Sequence, residues 1–232
     1  MKKIFALLGV IIALTFTVIL EDAANAAEPL YMKRINLATQ LVNEMSQQSD
    51  AAAMASAIKD AKGIALFPHV TKAGFIFGAE DGQGLVLLRT PNGGWTGPSF
   101  VGISGASFGF QAGIESIGLL LVINNQKGLT AFTGGNSFKL GADVAIAAGP
   151  IGRSVGVGTN APMKASIYSY SMTKGVFAGV SVGGSIINQN RDLNRAYWGT
   201  AISAQKALSK PAKNAKILPL IQALNSLLTQ AK

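Results

Sequence analysis

Two serines lie in Gly-x-Ser-x-Gly segments, the arrangement of residues here that comes nearest to a catalytic nucleophile. The segments occupy positions 105–109 and 179–183. A serine in such an elbow needs a histidine base that follows it in the chain. The single histidine, His69, precedes both segments, and 27 glycines make chance matches common. The motifs therefore do not predict a serine hydrolase, and His69 is expected in a turn or at the surface.

The sequence lacks the residues that other kinds of catalytic or cofactor site require. The chain has no cysteine and one histidine, which excludes thiolate chemistry and leaves no set of transition-metal ligands. Residues 156–161 match a degenerate dinucleotide fingerprint, but Pro162 and the strand-like residues after it rule out the helix that must receive the pyrophosphate. Carboxylates are few and scattered. We therefore predict a protein that is not an enzyme, with no catalytic residue, no metal and no cofactor.

The charge balance points to an anionic partner. The formal net charge is +9, from 20 Lys and Arg against 11 Asp and Glu. No acidic residue follows Asp192, whereas six cations do: Arg195, Lys206, Lys210, Lys213, Lys216 and Lys232. Such an excess suits a membrane surface, an acidic polymer or nucleic acid, although a solvated basic tail has the same composition.

The N-terminus has the pattern of an export signal. Lys2 and Lys3 precede an uncharged apolar run at 4–20, and Ala24-Asn25-Ala26 matches the small-x-small rule for signal peptidase. We predict a signal peptide over 1–26 and a periplasmic or secreted protein, with peripheral membrane association as an option. The alternative is an uncleaved anchor helix, for which a run of this length is short.

Helices are predicted at both ends of the remaining chain. Apolar residues recur at helical spacing over 30–45, and a short second helix follows, with Asp50 as its N-cap and Gly63 at its end. Near the C-terminus, helical patterns cover 201–208 and a leucine stripe that starts near Pro219.

Between the helices, the pattern changes to short strands separated by turn residues. Turns are predicted at Gly82 and Gly84 and at 92–94, and alternating strands at 138–146 and 176–182. The continuous apolar run at 119–123 fits a strand buried on both faces. About nine or ten strands in hairpin order predict an α+β, mainly β fold: a single antiparallel sheet, strongly curled or barrel-like, flanked by N-terminal and C-terminal helices.

The order of motifs along the β region is similar to that of a known family. The motifs are KGIALFP at 62–68, KAGFIFG at 72–78, Trp95, PSF at 98–100, SFGFQAG at 107–113, LGAD at 140–143, AGP at 148–150 with Gly152 and Arg153, IYSYS at 167–171 and KGVFAG at 174–179. This order closely resembles the SYLF domain family of lipid-binding proteins, over about residues 33–200. With it, the expected organisation is a signal peptide at 1–26, a SYLF-type lipid-binding domain at 27–200 and a basic helical extension at 201–232.

The resemblance implies a module that binds phospholipid, of a phosphatidylinositol-like anionic kind, through an N-terminal amphipathic segment and nearby basic residues. Here those residues would be Lys33, Arg34, Leu37, Leu41, Met45, Lys59, Lys62 and Lys72. An actin role, known in some relatives, would not carry over to an exported protein, and nucleic acid is not an expected partner. The residues alone leave open that the apolar stripe packs on the sheet instead, and that Asp143 and Arg153 form a structural ion pair.

Two other functions compete with this interpretation. A small outer-membrane β-barrel would share the signal peptide and the alternating strands, but aromatic residues are only 7% of the chain and its end is helical. An envelope protein that binds acidic polymer through its basic tail is the third hypothesis. The oligomeric state is not predicted by the sequence.

Overall fold

The computed structural model describes residues 28–149, 165–173, 176–178 and 182–231, without the side chains of 73–78, 106–114 and 176–178. The chain divides into two units, 1–30 and 31–232, and the second contains nearly all of the described residues. Several predictions lie outside the description: the signal peptide and its cleavage site, the 156–161 segment and the Arg153 partner of Asp143.

Two helices open the fold, as the sequence predicts. Helix α1 spans Leu30–Ser46 and helix α2 spans Ala51–Lys59. Asp50 occupies the N-cap position of α2, although its side chain makes no capping hydrogen bond. The predicted end of α2 at Gly63 is wrong, because Gly63 begins the first strand; a Cβ there would lie 2.6 Å from the Leu87 carbonyl oxygen.

A long antiparallel ribbon forms the centre of the sheet. Strand β1 spans Gly63–Arg89 and β2 spans Trp95–Ile123, paired in register from Gly63 with Ile123 to Arg89 with Trp95. The predicted turn at 92–94 joins them, with Gly93 at a φ of 79°. A straight strand as long as β1 would extend about 90 Å. Three register shifts in the ribbon allow it to bend instead.

The ribbon folds over, so that the two ends of β1 become neighbours. The Arg89 amide donates to the Lys62 carbonyl at 2.9 Å, and a Cβ on Gly84 would lie 2.2 Å from the Leu66 carbonyl oxygen. The predicted turn at Gly82 and Gly84 is therefore wrong: both glycines lie inside β1. Glycine is required at both positions because a Cβ atom there would meet the carbonyl oxygens of His69 and Leu66 on the other part of β1.

Two of the remaining strands pair directly with β2. Strand β5 (Ile167–Thr173) pairs with its C-terminal end, and β7 (Ile186–Gln189) pairs near its N-terminal end. Short strands β3 (Phe138–Lys139), β4 (Ile146–Ala148) and β6 (Val176–Ala178) complete the seven-stranded sheet formed by the described residues. Among the named strands of the described residues, only the pairing of β4 with β5 is parallel. The α+β, mainly β class and the single curled sheet are confirmed, with the sheet mixed rather than wholly antiparallel.

The predicted continuous strand at 138–146 is wrong. A turn at 141–143 separates β3 from β4, with Gly141 at a φ of 84°. The Lys139 amide donates to the Asp143 carboxylate at 2.7 Å and closes this turn. The alternation in the sequence arises because Phe138, Leu140 and Val144 are buried on both sides of the turn.

Alternate residues of the central strands enter two separate cores. One core contains Leu66, Leu120 and Val122 together with the buried faces of α1 and α2. The other contains Phe67, Leu119 and Leu121, and it is completed by helix α3 (Gln126–Thr133). The run at 119–123 is therefore buried on both faces, as predicted.

Three C-terminal helices follow the sheet. They are α4 (Arg191–Trp198), α5 (Ala204–Leu208) and α6 (Leu218–Leu228). Helix α6 places Leu220, Leu224 and Leu227 in the same core as α1 and α2. Among the described residues, no helix combines the length and apolar character needed to cross a bilayer.

Candidate functional site

The apolar stripe of α1 faces the protein core. Leu41 is 4% exposed and Met45 is 0% exposed. Leu41 packs against the sheet so closely that a Cβ on Gly118 would lie 2.4 Å from its Cδ1 atom. The helix is amphipathic because it covers the sheet, and this is the alternative that the sequence left open. Leu37 is half-buried beside this contact.

Leu37 and Leu41 line a cleft of ≈ 200 Å³ between α1 and the bent ribbon. The cleft also contains His69 and Ser116, whose Nδ1 and Oγ atoms lie 3.3 Å apart. Among the described residues, no carboxylate lies within ion-pairing distance of His69 to orient the imidazole. Within the described part of the chain, His69 and Ser116 therefore have no third group that would complete a catalytic triad. His69 is exposed, as predicted.

Four of the predicted cations are accessible. Lys33 is exposed and Arg34 is half-buried on α1, and Lys59 and Lys62 are exposed where α2 leads into β1. Because the Lys62 carbonyl accepts the Arg89 amide, this junction lies beside the end of β1. Their lipid-binding role stays a prediction, and their positions are compatible with contact to a charged surface.

Lys72, the fifth predicted cation, lies in a different environment. Its Nζ atom is 3.6 Å from the Glu80 carboxylate, and the side chains are 21% and 3% exposed. The Ser185 hydroxyl also donates to this carboxylate. The bend brings the two halves of β1, which we call its arms, close together. Lys72 lies on one arm and Glu80 on the other, so the ion pair joins them. Lys72 is therefore engaged within the fold, unlike the other four.

Three further cations, which the sequence prediction did not include, lie over aromatic rings. Arg89 Cζ is 4.8 Å from the centroid of the Trp95 ring, Lys210 Nζ is 5.3 Å from that of Trp198, and Lys216 Nζ is 4.8 Å from that of Tyr31. One of these pairs, Lys216 with Tyr31, joins residues 185 positions apart in the sequence. The basic C-terminus and the Trp95 motif were visible in the sequence, but their juxtaposition was not.

Helix α4 sets the position of Trp198 and of its neighbour Tyr197. The buried Asn194 side chain accepts the Phe100 amide at 2.8 Å and donates to the Phe100 carbonyl at 3.1 Å, which fixes α4 against β2. Tyr197 packs against Phe100 with ring centroids 5.7 Å apart. Burial, with a smaller contribution from Tyr31, raises the pKa of Tyr197 to about 12.

The described residues contain little that suits catalysis or metal binding. No group of three or more His, Asp or Glu side chains among them could hold a metal ion. The chemistry available is electrostatic and interfacial: cations without carboxylate partners, some of them lying over aromatic rings.

Comparisons with known proteins identify the family. The family described as "Ysc84: Las17-binding protein actin regulator" matches residues 104–227, more than half of the chain. A fission yeast (Schizosaccharomyces pombe) SH3 domain-containing protein is 38% identical over 174 residues, which is 74% of this chain and 40% of that protein. The human SH3 domain-containing YSC84-like protein 1 is 36% identical over 66% of this chain and 45% of its own length. Baker's yeast (Saccharomyces cerevisiae) LAS seventeen-binding protein 3 is 37% identical over 66% of this chain and 33% of its own length.

The chain thus spans less than half the length of these relatives. The resemblance found in the sequence motifs is confirmed: the chain belongs to the Ysc84 family, whose domain is the SYLF domain.

Proposed function

We propose that this chain is a non-enzymatic protein that binds anionic phospholipid at a membrane surface after export from the cytoplasm. The observation that carries the proposal is the state of its cations. Among the described residues, Lys72 with Glu80 is the one ion pair, so the other described Lys and Arg side chains have no carboxylate partner. Unpaired, accessible cations are what a surface of phosphate groups would attract.

The expected strength is moderate. A Lys or Arg near an anionic bilayer contributes about 1 kcal/mol. The four accessible predicted cations, Lys33, Arg34, Lys59 and Lys62, would together supply roughly 4 kcal/mol, equivalent to a dissociation constant near 1 mM. Binding of this size is reversible and falls as salt screens the charges.

The positions of Leu41 and Met45 shape the proposed mechanism. Because both side chains belong to the core, α1 would contribute charge from its exposed side rather than insert its apolar stripe. A proposal based on contact with headgroups therefore agrees better with the geometry than one based on deep insertion of α1.

The proposal can be tested by co-sedimentation with vesicles. A chain that starts at Ala27 contains the whole 31–232 unit and lacks the apolar run at 4–20. It should sediment with phosphatidylcholine vesicles that contain phosphatidylglycerol or phosphatidylinositol, and not with phosphatidylcholine alone.

Charge-matched variants make the test specific. The double variants Lys33→Gln/Arg34→Gln and Lys59→Gln/Lys62→Gln should each bind more weakly than Lys127→Gln/Lys139→Gln, which removes the same charge from α3 and β3. Equal loss in all three would indicate net charge alone, and equal sedimentation with neutral vesicles would refute the proposal.

The proposal is limited to lipid. The name of the baker's yeast relative and the description of the family refer to Las17, but export would separate this chain from partners in the cytoplasm. An acidic envelope polymer is the competing partner, and the unpaired cations would suit it as well.

A further inference from the structure

The three cation–ring pairs are linked by backbone hydrogen bonds and by ring contacts through the buried Tyr197. The segment after α5 runs beside the start of β2: the Gly97 amide donates to the Lys210 carbonyl at 2.8 Å, and the Ala212 amide donates to the Trp95 carbonyl at 3.0 Å. These bonds place the pair of Arg89 and Trp95 next to the pair of Lys210 and Trp198.

The aromatic rings continue from there to α1. Tyr197 contacts Trp198 and Tyr31 with ring centroids 5.0 Å and 5.7 Å apart, both edge to face. Lys216 Nζ donates to the Tyr31 hydroxyl at 3.0 Å. We call this group the cation–aromatic row. Its exposed or half-buried members are Tyr31, Arg89, Trp198, Lys210 and Lys216, and its buried member is Trp95.

The row also connects the two groups of cations in the proposed site. Tyr31 lies three residues before Arg34 on α1, a spacing that places both side chains on the same side of the helix. The Arg89 amide donates to the Lys62 carbonyl. Partial burial lowers the pKa of Arg89, but a guanidinium remains charged in proteins. The row thus presents charge that is held in place by rings.

We propose that the cation–aromatic row is the surface by which this protein docks on the headgroups of an anionic phospholipid bilayer, an inference that rests on the proposed function. Tryptophan and tyrosine prefer the level of the headgroups because their rings are apolar with one polar end. Cations held beside them meet phosphate at the same depth. Holding each cation over a ring reduces the side-chain freedom that binding must remove.

The same contacts disfavour nucleic acid. Bases bind such surfaces by stacking on free ring faces, whereas Arg89 and Lys210 already lie over the Trp95 and Trp198 rings. The indole N–H groups are also engaged: that of Trp95 donates to Asn225 at 3.2 Å and that of Trp198 to the Pro98 carbonyl at 3.1 Å. The groups that remain available for contact are the cationic side chains and the edges of the rings.

Intrinsic fluorescence reports on this surface directly, because the two tryptophans of the chain are Trp95 and Trp198. With phosphatidylglycerol vesicles that carry a spin label at the headgroup, we expect the tryptophan emission to be quenched. The same label deep in the acyl chains should quench it less. The variant Trp95→Phe, which keeps the more accessible Trp198, should retain the quenching.

Variants test the contribution of the row to affinity. Arg89→Gln/Lys210→Gln should bind these vesicles about 25-fold more weakly, at roughly fivefold for each cation. The charge-matched control Lys127→Gln/Lys139→Gln, whose cations lie over no aromatic ring among the described residues, should change affinity less than twofold. Thermal unfolding of each variant would verify the fold.

The outcomes separate the two proposals. If the chain binds the vesicles but the emission is not quenched and Arg89→Gln/Lys210→Gln binds normally, the row is not the docking surface and the proposed function stands. If the unaltered chain ignores anionic vesicles in dilute buffer, both proposals fail. If heparin or duplex DNA binds as tightly as the vesicles and depends equally on Arg89 and Lys210, the row binds acidic polymer and the lipid assignment is overturned.

Discussion

Replacing Met45 by Ala would show whether the apolar stripe of α1 serves the fold or the membrane. Met45 is fully buried, in the same core as Met54 of α2 and Leu224 of α6. Truncating a buried Met to Ala removes its transfer free energy and leaves a cavity, at a total of about 2–5 kcal/mol. Each kcal/mol lowers the melting temperature of a domain this size by roughly 2–4 °C. We therefore expect a fall of about 4–20 °C, and a lower denaturant midpoint with an unchanged slope.

The matched control is Leu37→Ala on the same helix, because Leu37 is only half-buried and should lower stability by less than Met45→Ala. Vesicle binding by the folded Met45→Ala protein, measured well below its melting temperature, should equal that of the unaltered chain. A Met45→Ala variant that keeps its stability but loses vesicle binding would refute the placement of this stripe in the core.

Other substitutions test the folded ribbon and the buried hydroxyl. Gly84→Ala should destabilise by about 1–3 kcal/mol or more in urea unfolding, because its Cβ would meet the Leu66 carbonyl; unchanged stability would contradict the close approach of the two arms of β1. Lys72→Ala should lower stability by about 1–2 kcal/mol, less than for a fully buried ion pair because Lys72 is partly exposed. An effect on vesicle affinity without an effect on stability would place Lys72 in the binding surface instead. The pKa of Tyr197 is about 12 in the folded protein, against an ordinary value of 10.0. Its ionisation therefore leaves the free energy of unfolding unchanged below pH 10 and lowers it as the pH rises from 10 toward 12. Since its hydroxyl has no partner among the described residues, Tyr197→Phe should be neutral or stabilising at neutral pH and should diminish that alkaline loss; a large destabilisation at pH 7 would indicate a missed hydrogen bond.

Local patterns in the sequence predicted four of the six described helices and the buried strand, but not α3 or α4. The stripe at Leu37, Leu41 and Met45 defined α1, and the apolar run at 119–123 defined a strand covered on both faces. The spacing of apolar residues indicates which side chains are buried, and both segments have buried faces. The stripe could not show whether its partner was the sheet or a bilayer, because both present an apolar surface.

Features made by distant residues were beyond the sequence pattern. Glycine is typical of turns, but at position 84 it is required because the bend in the ribbon brings the Leu66 carbonyl close. Likewise, the sequence places Lys210 in a basic tail, yet its Nζ atom lies over the Trp198 ring. Such contacts depend on the folded topology, which charge counts and motif spacing do not contain.

The most direct test of the account is flotation of the chain that starts at Ala27 with vesicles over a range of salt concentrations. We expect it to float with vesicles that contain phosphatidylglycerol, and to be released as the screening length falls from about 10 Å at 0.1 M to about 3 Å at 1 M salt. It should stay at the bottom of the gradient with pure phosphatidylcholine. Flotation with both kinds of vesicle at every salt concentration, or with neither, would contradict the claim that unpaired cations attach this protein to anionic lipid.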